Sequence, residues 1–157
     1  METSPPQLLA DPGSCLSFVK RSIDIATAER AVDAAVAKAL ELNVPMSIAM
    51  VDEAGDLRAF RRMEGAGKMT IEIAQNKAYT SASFGMPTHA WWDVIKEDGP
   101  LLHGFTHTPR LVVFGGGFPI VELGQMIGAI GLSGGHYSQD MMCGRAALEA
   151  IGAAESP

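Results

Sequence analysis

A chain of 157 residues, 47% of them apolar and with a net charge of −6, is long enough to bury one core without disulfide or metal staples. The acidic balance, with no basic cluster larger than Arg61-Arg62, argues against a nucleic-acid or anionic-membrane surface. No run of about eighteen apolar residues marks a transmembrane helix, and the N-terminus lacks the basic and apolar regions of a secretory signal, so a soluble, cytoplasmic protein is expected.

Residues 1–17 hold Pro5, Pro6, Pro12 and Gly13 without periodicity and read as a flexible arm, or a strap across a neighbouring subunit; 18–157 form a single domain. Thr27 is placed to cap a helix with Glu29 in its first turn and Val32, Ala35, Val36, Ala39 and Leu40 as its apolar stripe. Asn43 and Pro45 end it. Met46–Asp52 is apolar on both faces, which predicts a central strand. Asp52–Asp56, with Gly55 at a positive φ, turns the chain into a partner strand over Leu57–Met63, and the two aspartates are hairpin acids. Thr70–Phe84 is a helix whose small residues at 74, 78 and 82 allow close packing, stopped by Gly85 and Pro87. Thr88 caps a shorter helix that carries Trp91 and Trp92, core or interface anchors, and Asp98-Gly99-Pro100 breaks it. Leu101–Pro109 reads as a loop.

Arg110–Phe114 is a short β-branched and aromatic run ending at Gly115-Gly116-Gly117. Phe118–Val121 resumes as a strand whose Pro119 favours an edge. Glu122–Gln125 turns the chain into a third strand of this group, Met126–Ser133, where Gly128 and Gly131 leave bare backbone for another chain or a flat ligand. Gly134-Gly135 precedes a closing helix that begins near Ser138 and runs to Ile151. The order α-β-β-α-α-β-β-β-α, with hairpins joining strands, argues an α+β fold with an antiparallel sheet and helices packed on it.

Several residues carry candidate chemistry. His103 and His107, four apart, are the best metal or haem ligands in the chain; the plainer alternative is a pair of loop histidines that merely hydrogen-bond. A helix would set them on one face, but Gly99, Pro100, Gly104 and Pro109 argue against one. The triple glycine is no phosphate cradle, because a strand rather than a helix follows it. Gly134 and Gly135 offer N–H donors to an anion at a helix entrance, and His136 beside them can serve as acid, base or ligand. The alternative there is Ser138 as cap, Asp140 complementing the dipole and His136 solvated. Lys77 is read as a structural ion-pair partner, a carboxylate anchor or a nucleophile, and Arg110 as a second carboxylate anchor. Cys15 and Cys143 are read as reduced thiols.

The segments VDEAGDLRAFRRMEGAG, IAQNKAYTSASFGMPT, FGGGFPI and GQMIGAIGLSGGHYSQD together resemble the GlcG/HbpS-like family (domain of unknown function 336), which includes the C-terminal domain of PduO-type proteins. The likeness runs from about Thr27 to Ile151. It implies a profilin-like, five-stranded antiparallel sheet and homo-oligomers from dimer to octamer. Relatives bind haem, iron or corrinoids, and others stand beside glycolate, propanediol or aromatic catabolism. By resemblance Lys77, Gly115–Gly117 with Pro119, and Gly134, Gly135, Gln139 and Asp140 occupy the family's motif positions. Beside a purely structural reading, an assembly or sensor-partner module with neither ligand nor turnover, two readings follow. One is a small-molecule binding protein for haem, a related tetrapyrrole or iron, with His103 or His107 on the metal and Lys77, Arg110, Gly116, Gly117, Gly134 and Gly135 around the ligand. The other is an enzyme on a small oxygenated metabolite, using His136, His107 and Lys77.

Overall fold

The computed structural model describes residues 16–156; the arm expected over 1–17 lies almost wholly outside the described residues, as does Cys15. Helix α1 spans Ile25–Glu41 and begins one turn earlier than Thr27 implies. Asp24 is its cap, the carboxylate accepting from the Thr27 N–H at 2.8 Å. Ala28, Ala31, Val32, Ala35 and Ala39 form the buried stripe, while Leu40 faces solvent.

Strands β1 (Ser47–Asp52) and β2 (Leu57–Arg62) form the expected hairpin, with Gly55 at φ +85°. β3 (Gly117–Glu122) and β4 (Gln125–Ser133) form the second. Leu123 and Gly124 turn it with both φ angles positive, the type I′ geometry that matches strand twist. β1 and β4 pair antiparallel in register from Ser47↔Ser133 to Asp52↔Gly128, so the sheet order is β2-β1-β4-β3. β1 is central and Pro119 does lie on an edge strand.

The described sheet has four strands, not five. Arg110–Phe114 supplies no strand because α2 (Thr70–Phe84) takes over its backbone bonds. The Thr80 hydroxyl donates to the Arg110 carbonyl and accepts from the Val112 N–H, both at 3.0 Å. Arg110 itself stands at φ +66°, which interrupts extended geometry. A second difference lies before it. Gly99–Gly104 is a short helix, α4, continued by a 3-10 turn over Phe105–His107. Asp98 caps it by accepting from the Leu101 N–H at 3.0 Å, and Pro100 sits in the first turn, where its missing N–H costs nothing. The Thr88 segment is a 3-10 turn leading into α3 (Trp91–Ile95), and α5 spans Tyr137–Ala150. The order is therefore α-β-β-α-α-α-β-β-α.

Helices cover both faces of the sheet. α1 and α5 enclose Met46, Ile48, Met50, Phe118, Ile120, Ile130 and Leu132 on one. On the other, α2 lays Ala74, Ala78 and Ala82 against Ala49, Val51 and Ala129. The small residues have the role their spacing implies. A Cβ at Gly131 would overlap the Ala74 carbonyl and the Ala78 N–H, so that bare backbone receives α2 rather than a ligand or another chain. Gly128 is likewise filled, by the Val51 carbonyl and Ile23.

Candidate functional site

The two glycine corners meet at Lys77. This lysine leaves α2 on the sheet side and is fully buried. Its ammonium donates to Asp140 Oδ2 at 2.6 Å and to the Leu132 carbonyl at 2.8 Å, and lies 4.9 Å from the Phe114 ring centroid. Gly116, at φ +115°, presses against this group: a Cβ there would stand 2.7 Å from Lys77 Nζ and 2.8 Å from Asp140 Cβ. Across the corner the Gly135 N–H reaches Asp140 Oδ1 at 3.4 Å. Gly117 donates to Thr88 Oγ1 at 2.8 Å. Burial pushes the Lys77 pKa down and that of Asp140 up, while their mutual attraction opposes both shifts. The arrangement is a pin: one buried ion pair holds α2, α5 and both glycine turns together. The N–H expected to await an anion at Gly135 is turned toward the protein's own carboxylate.

His136 is exposed at the mouth of this corner and is the N-cap of α5, two residues before Ser138. Its Nδ1 accepts from the Ser138 N–H at 3.3 Å and lies 2.8 Å from Ser138 Oγ, while Gln139 Oε1 accepts from the His136 N–H at 3.1 Å. This is a capping box with imidazole in place of the usual hydroxyl. The ring lies against Tyr137, centroids 4.2 Å apart and planes tilted by 35°, and Tyr137 with Met141 closes over Gly115. Phe114, His136 and Tyr137 thus make an exposed aromatic ledge above the buried pair.

His103 and His107 lie elsewhere, on the exposed helical run of α4 and its 3-10 extension. Neither ring forms a hydrogen bond or ion pair among the described residues, so both imidazoles are free to ligate. Phe105 between them anchors the run edge-on to buried Trp91, centroids 5.0 Å apart. Among the described residues no three His, Cys, Asp or Glu side chains gather as a metal-binding group.

Arg110 stacks its guanidinium 3.5 Å from the Tyr79 ring centroid and lines a cleft of about 550 Å³ on the outer side of α2 with Lys68, Glu72, Gln75 and Asn76. No sequence motif marked that cleft, since Arg110 lies far from Lys68 along the chain. His89 also went unremarked. Its Nδ1 is buried with no hydrogen-bond partner among the described residues, its Nε2 is 3.7 Å from Glu155, and burial lowers its pKa. Asp140, a dipole partner and a family motif position in the sequence, proves to be half of the pin.

A family model described as "haem degrading protein HbpS-like" matches residues 23–149, and the chain belongs to that HbpS-like family. An uncharacterised 15.0 kDa protein of the dhaT–dhaS intergenic region of Citrobacter freundii is 38% identical over 82% of this chain and 91% of its own. Among solved structures, Klebsiella pneumoniae ORFY superposes with a TM-score of 0.83 at 31% identity, over 90% of this chain and 99% of that one. A PduOC–heme complex superposes with a TM-score of 0.78 at 30% identity, over 87% and 99%.

Proposed function

We propose that this protein binds haem or a closely related tetrapyrrole, with His103 or His107 as the protein ligand to iron. The single observation that carries the reading is the likeness in fold and sequence to the PduOC–heme complex over most of both chains. The donor set of this structure fits the group. A porphyrin supplies four nitrogens itself, so the protein needs only one or two imidazoles with a free lone pair, and no cage of protein ligands. His103 and His107 are exposed, and neither ring has a partner among the described residues. Haem iron would supply ligand-binding and redox chemistry, and His103 or His107 would supply an imidazole nitrogen to hold it. We place the macrocycle on the exposed 99–109 segment that carries the two imidazoles. A cytoplasmic homo-oligomer is part of the proposal; the exposed apolar residues Leu16, Phe18 and Val19 at the start of the described chain support the association.

The enzyme reading has less to stand on. Lys77 is sealed and its ammonium is engaged by Asp140 and Leu132, so it offers no accessible nucleophile. His136 is occupied in capping α5. The test is a hemin titration followed in the Soret region. A saturable, shifted band is expected in the wild type and in His136→Ser, and its loss in His103→Ala/His107→Ala. A wild-type spectrum indistinguishable from free hemin would refute the proposal.

A further inference from the structure

We infer that the cleft on the outer side of α2 is a binding site for an organic monocarboxylate that carries a hydroxyl or ammonium group. The inference is independent of the iron ligands, since none of its residues is a histidine.

The argument begins with Arg110. It is a non-glycine residue in the left-handed region, at φ +66°, a conformation that persists only where surroundings enforce it. Thr80 provides the enforcement by bonding the peptide groups on both sides of Leu111. The guanidinium carbon then lies 3.5 Å from the Tyr79 ring centroid, within stacking distance of its face. Tyr79 is itself backed by the β1–β2 hairpin: a Cβ at Gly55 would come within 2.8 Å of Tyr79 Cδ2, so only glycine lets the hairpin seat there. Hairpin, phenol ring and guanidinium form three layers, and the cation is preorganised before any ligand arrives. A guanidinium stacked on its face keeps its in-plane N–H groups for a partner, and a carboxylate matches that fork.

The charge of the cleft selects the ligand further. Lys68 and Arg110 contribute two positive charges and Glu72 one negative, and none of the three has an ion-pair partner among the described residues. A net charge of +1 complements a monoanion and penalises a phosphate dianion, which would meet Glu72. Gln75 donates its amide N–H to the Ile71 carbonyl at 3.0 Å, leaving its oxygen as an acceptor. With Glu72 that makes two acceptors facing the same space, which is why a hydroxyl or ammonium donor belongs on the ligand. Asn76 completes the polar lining, and Ile71 gives the carbon skeleton an apolar contact. The volume, about 550 Å³, lies within the usual range for small-molecule sites.

A free metabolite and a propionate arm of a bound tetrapyrrole share the carboxylate chemistry, and an NMR titration separates them. The ¹⁵N-labelled protein is titrated with lactate, 4-hydroxybenzoate and inorganic phosphate, and separately with hemin and hemin dimethyl ester. Saturable shifts are expected for the amides of Lys68, Glu72, Asn76 and Arg110 with at least one of the two acids, with phosphate about tenfold weaker or more. Arg110→Ala should weaken the hydroxy acid about tenfold or more, whereas Glu72→Gln, which keeps an oxygen acceptor for the hydroxyl and removes the repelling charge, should tighten it several-fold. A purely structural Arg110 would not produce that opposite pair of effects, and Glu72→Gln remains informative if Arg110→Ala proves unstable. If only hemin, and not its dimethyl ester, perturbs the cleft, the bound carboxylate is a propionate without a hydroxyl or ammonium group, and the ligand class inferred here is overturned. Absence of saturable shifts with either acid and with hemin, equal binding of phosphate, or unchanged affinity in both variants would overturn the inference. Soret changes report on the haem proposal alone, so the two can fail separately.

Discussion

Asp140→Ala removes the carboxylate from Lys77 and leaves the ammonium with the Leu132 carbonyl and the Phe114 ring as its remaining partners. Lys77 is fully buried and Asp140 is 2% exposed, so solvent does not replace the lost partner. Breaking such a pair by removing one member costs about 3–5 kcal/mol. For a domain of this size that corresponds to a fall in Tm of roughly 10 °C. The sign of the pH dependence follows from burial. Without Asp140, nothing opposes the downward push on the Lys77 pKa, so the folded state binds fewer protons than the unfolded chain between the depressed value and that of a free lysine, about 10.4. Stability of the variant should therefore rise with pH across that window, by at most about 1.4 kcal/mol per pH unit. Urea denaturation at several pH values measures both effects. Lys77→Met/Asp140→Leu should recover more than half of the loss, because no lone charge remains buried. A single-variant loss below about 1 kcal/mol, or one that does not shrink as the pH rises, would refute the claim that this pair pins the corner.

Gly116→Ala should cost more than about 2 kcal/mol in the same assay, because φ +115° and the contact with Lys77 Nζ act together. His136→Ala should cost about 1 kcal/mol of α5 stability through loss of the cap, and His136→Ser or His136→Asp should restore it. Cys143, buried and with its thiol pKa pushed to about 11, should resist iodoacetamide in the folded protein at pH 8 and react on denaturation, as read by peptide mapping.

The hairpins and the long helix were legible because their signals are local. Alternation places Met46, Ile48 and Met50 on one face of β1, and Ala74, Ala78 and Ala82 repeat at helical spacing along α2. The family motifs were legible for the same reason, each being a contiguous string. What escaped depends on partners distant in the chain. Arg110–Phe114 has strand composition, yet the hydroxyl of Thr80 decides its conformation. The α4 run has the glycines and proline of a loop, yet Asp98 and Pro100 fall where a helix start accepts them. The ion pair between Lys77 and Asp140 joins residues from two helices, and no spacing rule links them. His136 was a capping residue hidden by the presence of a better-known cap, Ser138, two positions later. Of the candidate site, the glycine turns are readable as contiguous strings; the pin that joins them, the separate place of the His103–His107 run and the cleft beside Tyr79 emerge only in three dimensions.

The most direct test of the haem proposal is a crystal structure of the hemin-loaded protein, with the iron located by its anomalous scattering. The account predicts iron bonded to a ring nitrogen of His103 or His107. Iron bound to any other residue, or hemin absent from the 99–109 segment in protein that shows a Soret shift, would contradict it.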